Sequence, residues 1–181
     1  MPKTNHQGCV LLVDDDDAIR ESLGELLESC GFKIFTANCV DNGIKVIETN
    51  NEIEAIISDL KMPGKTGHEL LKYLNDVKKT IPLIFLTGYA TLESCQEAVR
   101  DGAFDYILKP IESKDKVIYP LNHAIEKRRM EIKMIELQRD IIVMAEEHQA
   151  ILDELLMDAE MKDKVQSRIN QILDKWDTKK K

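Results

Sequence analysis

The stretch "CVLLVDDDDAIRESLGELLESCG", residues 9–31, sets three elements side by side. Cys9 to Val13 are apolar without alternation, which reads as a short strand covered on both faces. From Ala18 onward, Ile19, Leu23, Leu26 and Leu27 recur at helical spacing, and Gly31 supplies a stop signal. Between strand and helix stand four consecutive carboxylates, Asp14 to Asp17. Like charges so close stay ionised only when something compensates them: water, if the run is a solvated turn, or a cation, if it is a site.

The strand-to-helix step repeats along the chain. "KIFTA" (33–37), "EAIIS" (54–58), "PLIFLT" (82–87) and "DYILK" (105–109) are further short apolar runs, separated by amphipathic segments such as "TLESCQEAVRDG" (91–102), which ends at Gly102. Five strands alternating with helices predict a doubly wound α/β domain with a parallel sheet buried on both faces. Such sheets place their chemistry at the carboxyl ends of the strands. Those ends carry Asp14 and Asp15, Asp59, Thr87 and Lys109. Three carboxylates, a hydroxyl and an ammonium on one sheet edge favour the site reading, although each residue taken alone also fits an ordinary strand end. Three carboxylates suit a hard, oxygen-loving cation, with Mg²⁺ the natural candidate. One carboxylate can also act as a nucleophile toward phosphorus and form an acyl phosphate. Asp59 is the best candidate for that role, because it stands alone at its strand end and the turn-forming loop "LKMPGKTG" (60–67) follows it.

Taken in order, "LLVDD", "IISDLKMPGKTG", "IFLTGYA" and "GAFDYILKP" resemble the receiver domain of bacterial two-component response regulators, over roughly residues 8 to 127. The resemblance implies a five-stranded flavodoxin-like sheet of order 2-1-3-4-5. It implies that Asp59 is the phospho-acceptor, that Asp14, Asp15 and Asp59 hold Mg²⁺, and that the Lys61 backbone carbonyl completes the metal shell. Thr87 resembles the switch hydroxyl and Lys109 the lysine paired with it, followed by Pro110 where the family usually has a cis peptide. Tyr106 matches the aromatic switch position, though a tyrosine in a last strand is also ordinary core. Lys61 and Tyr89, two residues beyond Asp59 and Thr87, match positions that tune the phosphoryl lifetime. The opening quartet thus divides: Asp14 and Asp15 as the metal pair, Asp16 and Asp17 as the start of the first helix, where carboxylates face the positive end of the helix dipole.

All eight glycines and all five prolines lie at or before position 120, so residues 121–181 are helix-permissive throughout. We divide the chain into a receiver, 1–127, and a helical or coiled-coil extension, 128–181. The last receiver helix is expected to be capped by Ser113 and kinked or locally broken at Pro120. Beyond it Met130, Met134, Leu137, Ile141, Met144, His148, Ile151 and Leu155 follow steps of four and three, a heptad seam that calls for a partner. The frame then meets Asp158 and Lys162 and recovers with Val165, Ile169, Ile172 and Trp176. Either the helix runs on with a weak, hydrated seam segment, or it breaks near 158–162 and folds back. His148 reads as a tolerated polar seam residue rather than a phosphorylated histidine.

The net charge of −8 falls wholly on residues 1–112, which hold 11 Lys+Arg against 19 Asp+Glu, while 113–181 hold 14 of each. An acidic front half is a poor nucleic-acid surface, and "KRR" (127–129) reads as solvated helix charge. No helix-turn-helix pattern and no Walker-type loop is present. Cys9, Cys30, Cys39 and Cys95 have neither zinc nor disulfide spacing and read as reduced thiols. No apolar run reaches the ~20 residues of a membrane span. The expectation is therefore a cytoplasmic phospho-accepting switch, served by a sensor histidine kinase or phosphotransfer protein, dimeric through its C-terminal helix, with no nucleic acid or membrane partner. It would assist its own phosphorylation and dephosphorylation without being a turnover enzyme. The enzyme alternative is a Mg²⁺-dependent phosphohydrolase of the haloacid dehalogenase type. That family wants Asp-x-Asp in the first strand, here Asp14-x-Asp16. The structural alternative, a coiled-coil scaffold capped by a degenerate receiver, has every matched phosphoryl-site residue against it.

Overall fold

The computed structural model describes residues 7–88 and 100–177, with side chains described as far as Gln171. Strand β1 is Cys9–Val13, followed by α1 (Asp17–Ser29), β2 (Lys33–Ala37), α2 (Val40–Thr49), β3 (Ala55–Asp59), α3 (Gly67–Asp76), β4 (Leu83–Thr87), β5 (Asp105–Leu108) and α4 (Asp115–Asp177). The five strands form one parallel sheet of order β2-β1-β3-β4-β5, as the resemblance implies. Tyr89 and Cys95, together with most of "TLESCQEAVRDG" and the side chains of Ile172 and Trp176, lie outside the described residues.

Period-two alternation divides the core in two. Leu11, Val13, Ile56, Leu83 and Phe85 pack with Leu70, Leu71 and Leu74 of α3. Val10, Leu12, Ala55, Ile57, Ile84 and Leu86 pack on the opposite face with Leu23 and Leu27 of α1 and Val117, Leu121, Ala124 and Ile125 of α4. The expectation of strands buried on both faces holds for β1, β3 and β4 but not for the edges: β2 is half-buried, and β5 buries Ile107 alone. An edge strand has one neighbour and correspondingly less cover.

Two expectations about α4 change. It begins at Asp115, and Ser113 accepts from Lys116 N through its backbone carbonyl (3.2 Å). Pro120 lies inside the helix without breaking it. The hydrogen bond that proline forfeits is outweighed by the burial of Val117, Leu121, Ala124 and Ile125 against the sheet.

The basic run 127–129, although largely exposed, is more than solvated charge. Arg129 donates to both carboxylate oxygens of Glu54 (2.6 and 2.8 Å) and to the Gln7 carbonyl (3.0 Å). Arg128 donates to the Thr80 carbonyl at 3.1 Å, and Lys127 Nζ stands 5.4 Å from the Phe104 ring centre. These residues fasten α4 to the amino-terminal rim of the sheet. Helical periodicity could not show it, because the hydrogen-bonding partners of Arg128 and Arg129 lie 48 to 122 positions away.

The chain divides into two units, Met1–Glu131 and Ile132–Lys181. The second is helical through 158–162, so the helix does not break and fold back there. Its seam is uncovered in the single chain: Met134, Leu137, Ile141, Met144, Ile151 and Leu155 are each more than half exposed. None of the described helices is long and apolar enough to cross a membrane.

Candidate functional site

Register brings the strand ends to one edge. Val13 pairs with Ser58, Asp59 with Leu86, and Thr87 with Leu108, so the residues that follow β1, β3, β4 and β5 emerge together. Asp14 is fully buried there. Its Oδ1 accepts from Asp16 N (2.9 Å), its Oδ2 accepts from Lys109 Nζ (2.9 Å), and its carbonyl accepts from Arg20 Nη1 (2.7 Å). Asp15 beside it is exposed. Asp16 is the α1 N-cap, accepting from Ala18 N and Ile19 N, and Asp17 occupies the first turn, where it pairs with Arg20. The second half of the quartet starts the helix as the sequence indicated, Asp16 as its cap and Asp17 in its first turn.

Asp59 Oδ1 accepts from Leu60 N (2.9 Å) and lies 3.5 Å from Lys109 Nζ. Asp14, Asp15 and Asp59 each present an oxygen, and the three lie within 4.8 Å of one another. Lys109 pairs with two of the three, Asp14 at 2.9 Å and Asp59 at 3.5 Å. Burial pushes the Asp59 carboxyl above its usual range, and Asp14 adds to this, while Lys109 and the Leu60 amide oppose it. A donor set of three oxygens with a residual negative charge fits a hard divalent cation.

Thr87 is buried at the end of β4, and its carbonyl accepts from Lys109 N (2.8 Å), which ties the β5 exit to the β4 end. The Lys109–Pro110 peptide is cis. Lys61 sits exposed in the loop after Asp59, and Tyr106 lies on β5 with 40% of its surface exposed.

Sequence reasoning missed three supports of this site. Arg20 reaches from α1 to the Asp14 carbonyl, and nothing in helical spacing flags it. Gly67 is more than a turn residue: a Cβ there would stand 2.5 Å from the Asp59 carbonyl oxygen and 2.9 Å from the Phe85 ring. The conformational demand falls instead on Gly64, at φ 82°. Thr66 and Glu69 form a capping box at the start of α3, legible in "TGHE" (66–69) as the T-x-x-E pattern.

Fold and site together define a doubly wound α/β domain with an acidic, lysine-bearing pocket at the carboxyl edge of its sheet. The chain belongs to the response regulator receiver domain family, whose family model matches residues 10–119. It is 31% identical over 140 residues to the C4-dicarboxylate transport transcriptional regulatory protein DctD of Pseudomonas aeruginosa, covering 77% of this chain and 29% of that protein. It is 34% identical over 113 residues to the DNA-binding transcriptional regulator NtrC of Escherichia coli, covering 61% and 24%. It thus spans less than a third of the length of these curated relatives. Among solved structures it resembles a receiver domain protein from Clostridium thermocellum (TM-score 0.64, 29% identity, 68% of this chain and 98% of that one). It also resembles full-length FixJ from B. japonicum (TM-score 0.66, 28% identity, 77% and 68%).

The phosphohydrolase alternative finds no support. Its pattern needs Asp14 as nucleophile, and Asp14 is buried with both carboxylate oxygens already accepting.

Proposed function

We propose that this chain is a phospho-accepting response regulator whose switch is the edge formed by Asp14, Asp15, Asp59, Thr87 and Lys109. The observation that carries the reading is the meeting of three carboxylate oxygens within 4.8 Å with one lysine, 2.9 Å from Asp14 and 3.5 Å from Asp59. An Asp59 carboxylate oxygen attacks phosphorus of a phosphohistidine on a sensor kinase or phosphotransfer protein. The P–N bond breaks, and the imidazole nitrogen leaves with its electron pair and takes up a proton. Asp14, Asp15, Asp59 and the Lys61 carbonyl would hold Mg²⁺. Bound there, Mg²⁺ supplies neutralisation of the charge gathered on the phosphoryl oxygens. Lys109, fixed by Asp14, is placed to pair with the phosphoryl group, and the Thr87 hydroxyl to turn toward it. Tyr106 on β5 is the position through which that change reaches the surface. The chain assists its own phosphorylation and dephosphorylation and turns over no metabolite.

The output reading is a homodimer through α4, since the seam from Met134 to Leu155 is uncovered in the single chain and a lone helix of this kind is marginal in water. Nucleic acid stays outside the proposal because the front half carries an excess of eight acidic charges. We place the chain in the cytoplasm, away from the membrane.

Incubation with acetyl phosphate and Mg²⁺, followed by peptide mass spectrometry, tests the acceptor. A label on Asp59 that is absent in Asp59→Asn is the expected result, and label elsewhere, or none, defeats the proposal. Solution mass by light scattering, with Mg²⁺ alone and with Mg²⁺ plus beryllofluoride, shows whether assembly follows the phosphoryl site.

A further inference from the structure

The uninterrupted course of α4 through 158–162 raises a question about its seam. Asp158 and Lys162 occupy consecutive core positions of the heptad frame, between Ile151 and Leu155 on one side and Val165 and Ile169 on the other. Within one helix they pair at 2.8 Å and remain 60% and 77% exposed. Charges at core positions weaken a coiled coil but specify its register and orientation when only one arrangement satisfies them.

We propose that α4 pairs with a second copy of itself in antiparallel fashion, in a register centred on residue 160. The inference rests on the dimer reading above and names its geometry. About that centre Asp158 faces Lys162 of the second copy, and Lys162 faces its Asp158. The four charges form a neutral quartet around the two-fold axis. Apolar layers follow on either side: Leu155 against Val165, then Ile151 against Ile169. These four are 61%, 55%, 54% and 44% exposed in the single chain. Along one flank Glu154 meets Arg168 and Met161 meets its own copy. Along the other Leu152 meets Gln166, and Ala159 meets its own copy at the axis. No like charges face each other in any of these pairs.

Other arrangements lose this agreement. A heptad shift one way sets Asp158 against Leu155 and Lys162 against Ile151. A shift the other way sets Asp158 against Ile169 and Lys162 against Val165. A parallel, in-register pair stacks Asp158 on Asp158, Lys162 on Lys162 and His148 on His148. Its flanks bring Glu147 to Leu152 and Glu154 to Ala159, with no attraction gained. Like charges opposed within two successive core layers repel, so the parallel form forfeits what the antiparallel form gains.

The test uses the full chain and the double variant D158K/K162D, which reverses both charges and preserves the pair within the helix. Wild type and double variant carry tags of different mass, are mixed after dissociation and reassociation, and are counted by native mass spectrometry. Each alone is expected to be dimeric. Antiparallel pairing sets like charges together in every mixed dimer, so the heterodimer fraction falls from roughly half to below about one tenth. Parallel pairing instead joins Asp to Lys in the mixed dimer and enriches it above half, which overturns the proposal. Random mixing, or a double variant that stays monomeric, overturns the register. A monomeric wild type defeats the dimer reading itself, a distinct outcome. The single variant D158K, which sets two lysines face to face twice, is expected to weaken self-association at least ~10-fold, and full recovery in D158K/K162D completes the test.

Discussion

Replacing Asp59 with asparagine should stabilise the sheet domain when no divalent cation is present. The side chain is 13% exposed and shares its site with buried Asp14 and with Lys109. At an effective dielectric near 20, repulsion from Asp14 at the outer separation of 4.8 Å is about 3.5 kcal/mol. Attraction to Lys109 at 3.5 Å is about 4.7 kcal/mol. Asp15, exposed and screened, adds about 1 kcal/mol of repulsion. The pairwise terms nearly cancel, so burial of a second ionised carboxylate decides the balance, which agrees with burial as the leading cause of the raised Asp59 pKa. A net cost follows, and asparagine removes it while still accepting from Leu60 N. The sign with pH is fixed by the same shift. Folded Asp59 keeps its proton to higher pH than unfolded Asp59 does. Its contribution is therefore most favourable in acid, falls as pH rises from the ordinary aspartate range to the raised value, and stays lost at neutral pH. The advantage of Asp59→Asn should accordingly grow from pH 4 to pH 7. Mg²⁺ at tenfold excess over Kd should return about 1.4 kcal/mol to the wild type and less to the variant. Native-state hydrogen exchange of the β1 and β3 amides, in EDTA and in Mg²⁺, measures both effects. A variant less protected than wild type in EDTA at pH 7, or equal gains from Mg²⁺ in both proteins, would refute the reasoning.

Three further outcomes follow from the same geometry. Lys109→Met leaves Asp14 buried without its 2.9 Å partner and should cost about 3 kcal/mol in urea unfolding, part of it recovered by Mg²⁺; an unchanged midpoint would show that Lys109 does not compensate Asp14. Gly67→Ala forces a Cβ against the Asp59 carbonyl and the Phe85 ring, and should cost about 2 kcal/mol and slow acetyl-phosphate labelling of Asp59, whereas wild-type labelling would mean the loop yields freely. Arg129→Ala breaks a two-point bond to Glu54 and one to the Gln7 carbonyl; a loss of about 1 kcal/mol is expected, with coupling to Glu54→Ala in a double-mutant cycle, and strict additivity would show the contact to be inert.

Legible in the sequence were the strands, their order of appearance and the residue types at their ends. An unbroken apolar run such as Cys9–Val13 can satisfy its backbone only in a covered sheet. The carboxylates beyond it have to sit where that sheet ends. The helix-starting half of the aspartate quartet was legible for a similar reason, because a helix start needs acceptors. The contacts that cross the chain became visible only in the folded molecule. Arg20 on the Asp14 carbonyl, Gly67 beneath Asp59, and the basic run 127–129 clamped to Glu54, Gln7 and Thr80 depend on which residues the fold brings within 3 Å or so of one another. The uninterrupted α4 belongs with them. Local propensity allowed both a continuous and a folded-back helix at 158–162, since charged residues suit a helix as well as a bend. Periodicity records which face of an element is apolar. Direction and depth of a polar side chain are set by its neighbours in space, and those are supplied by the fold.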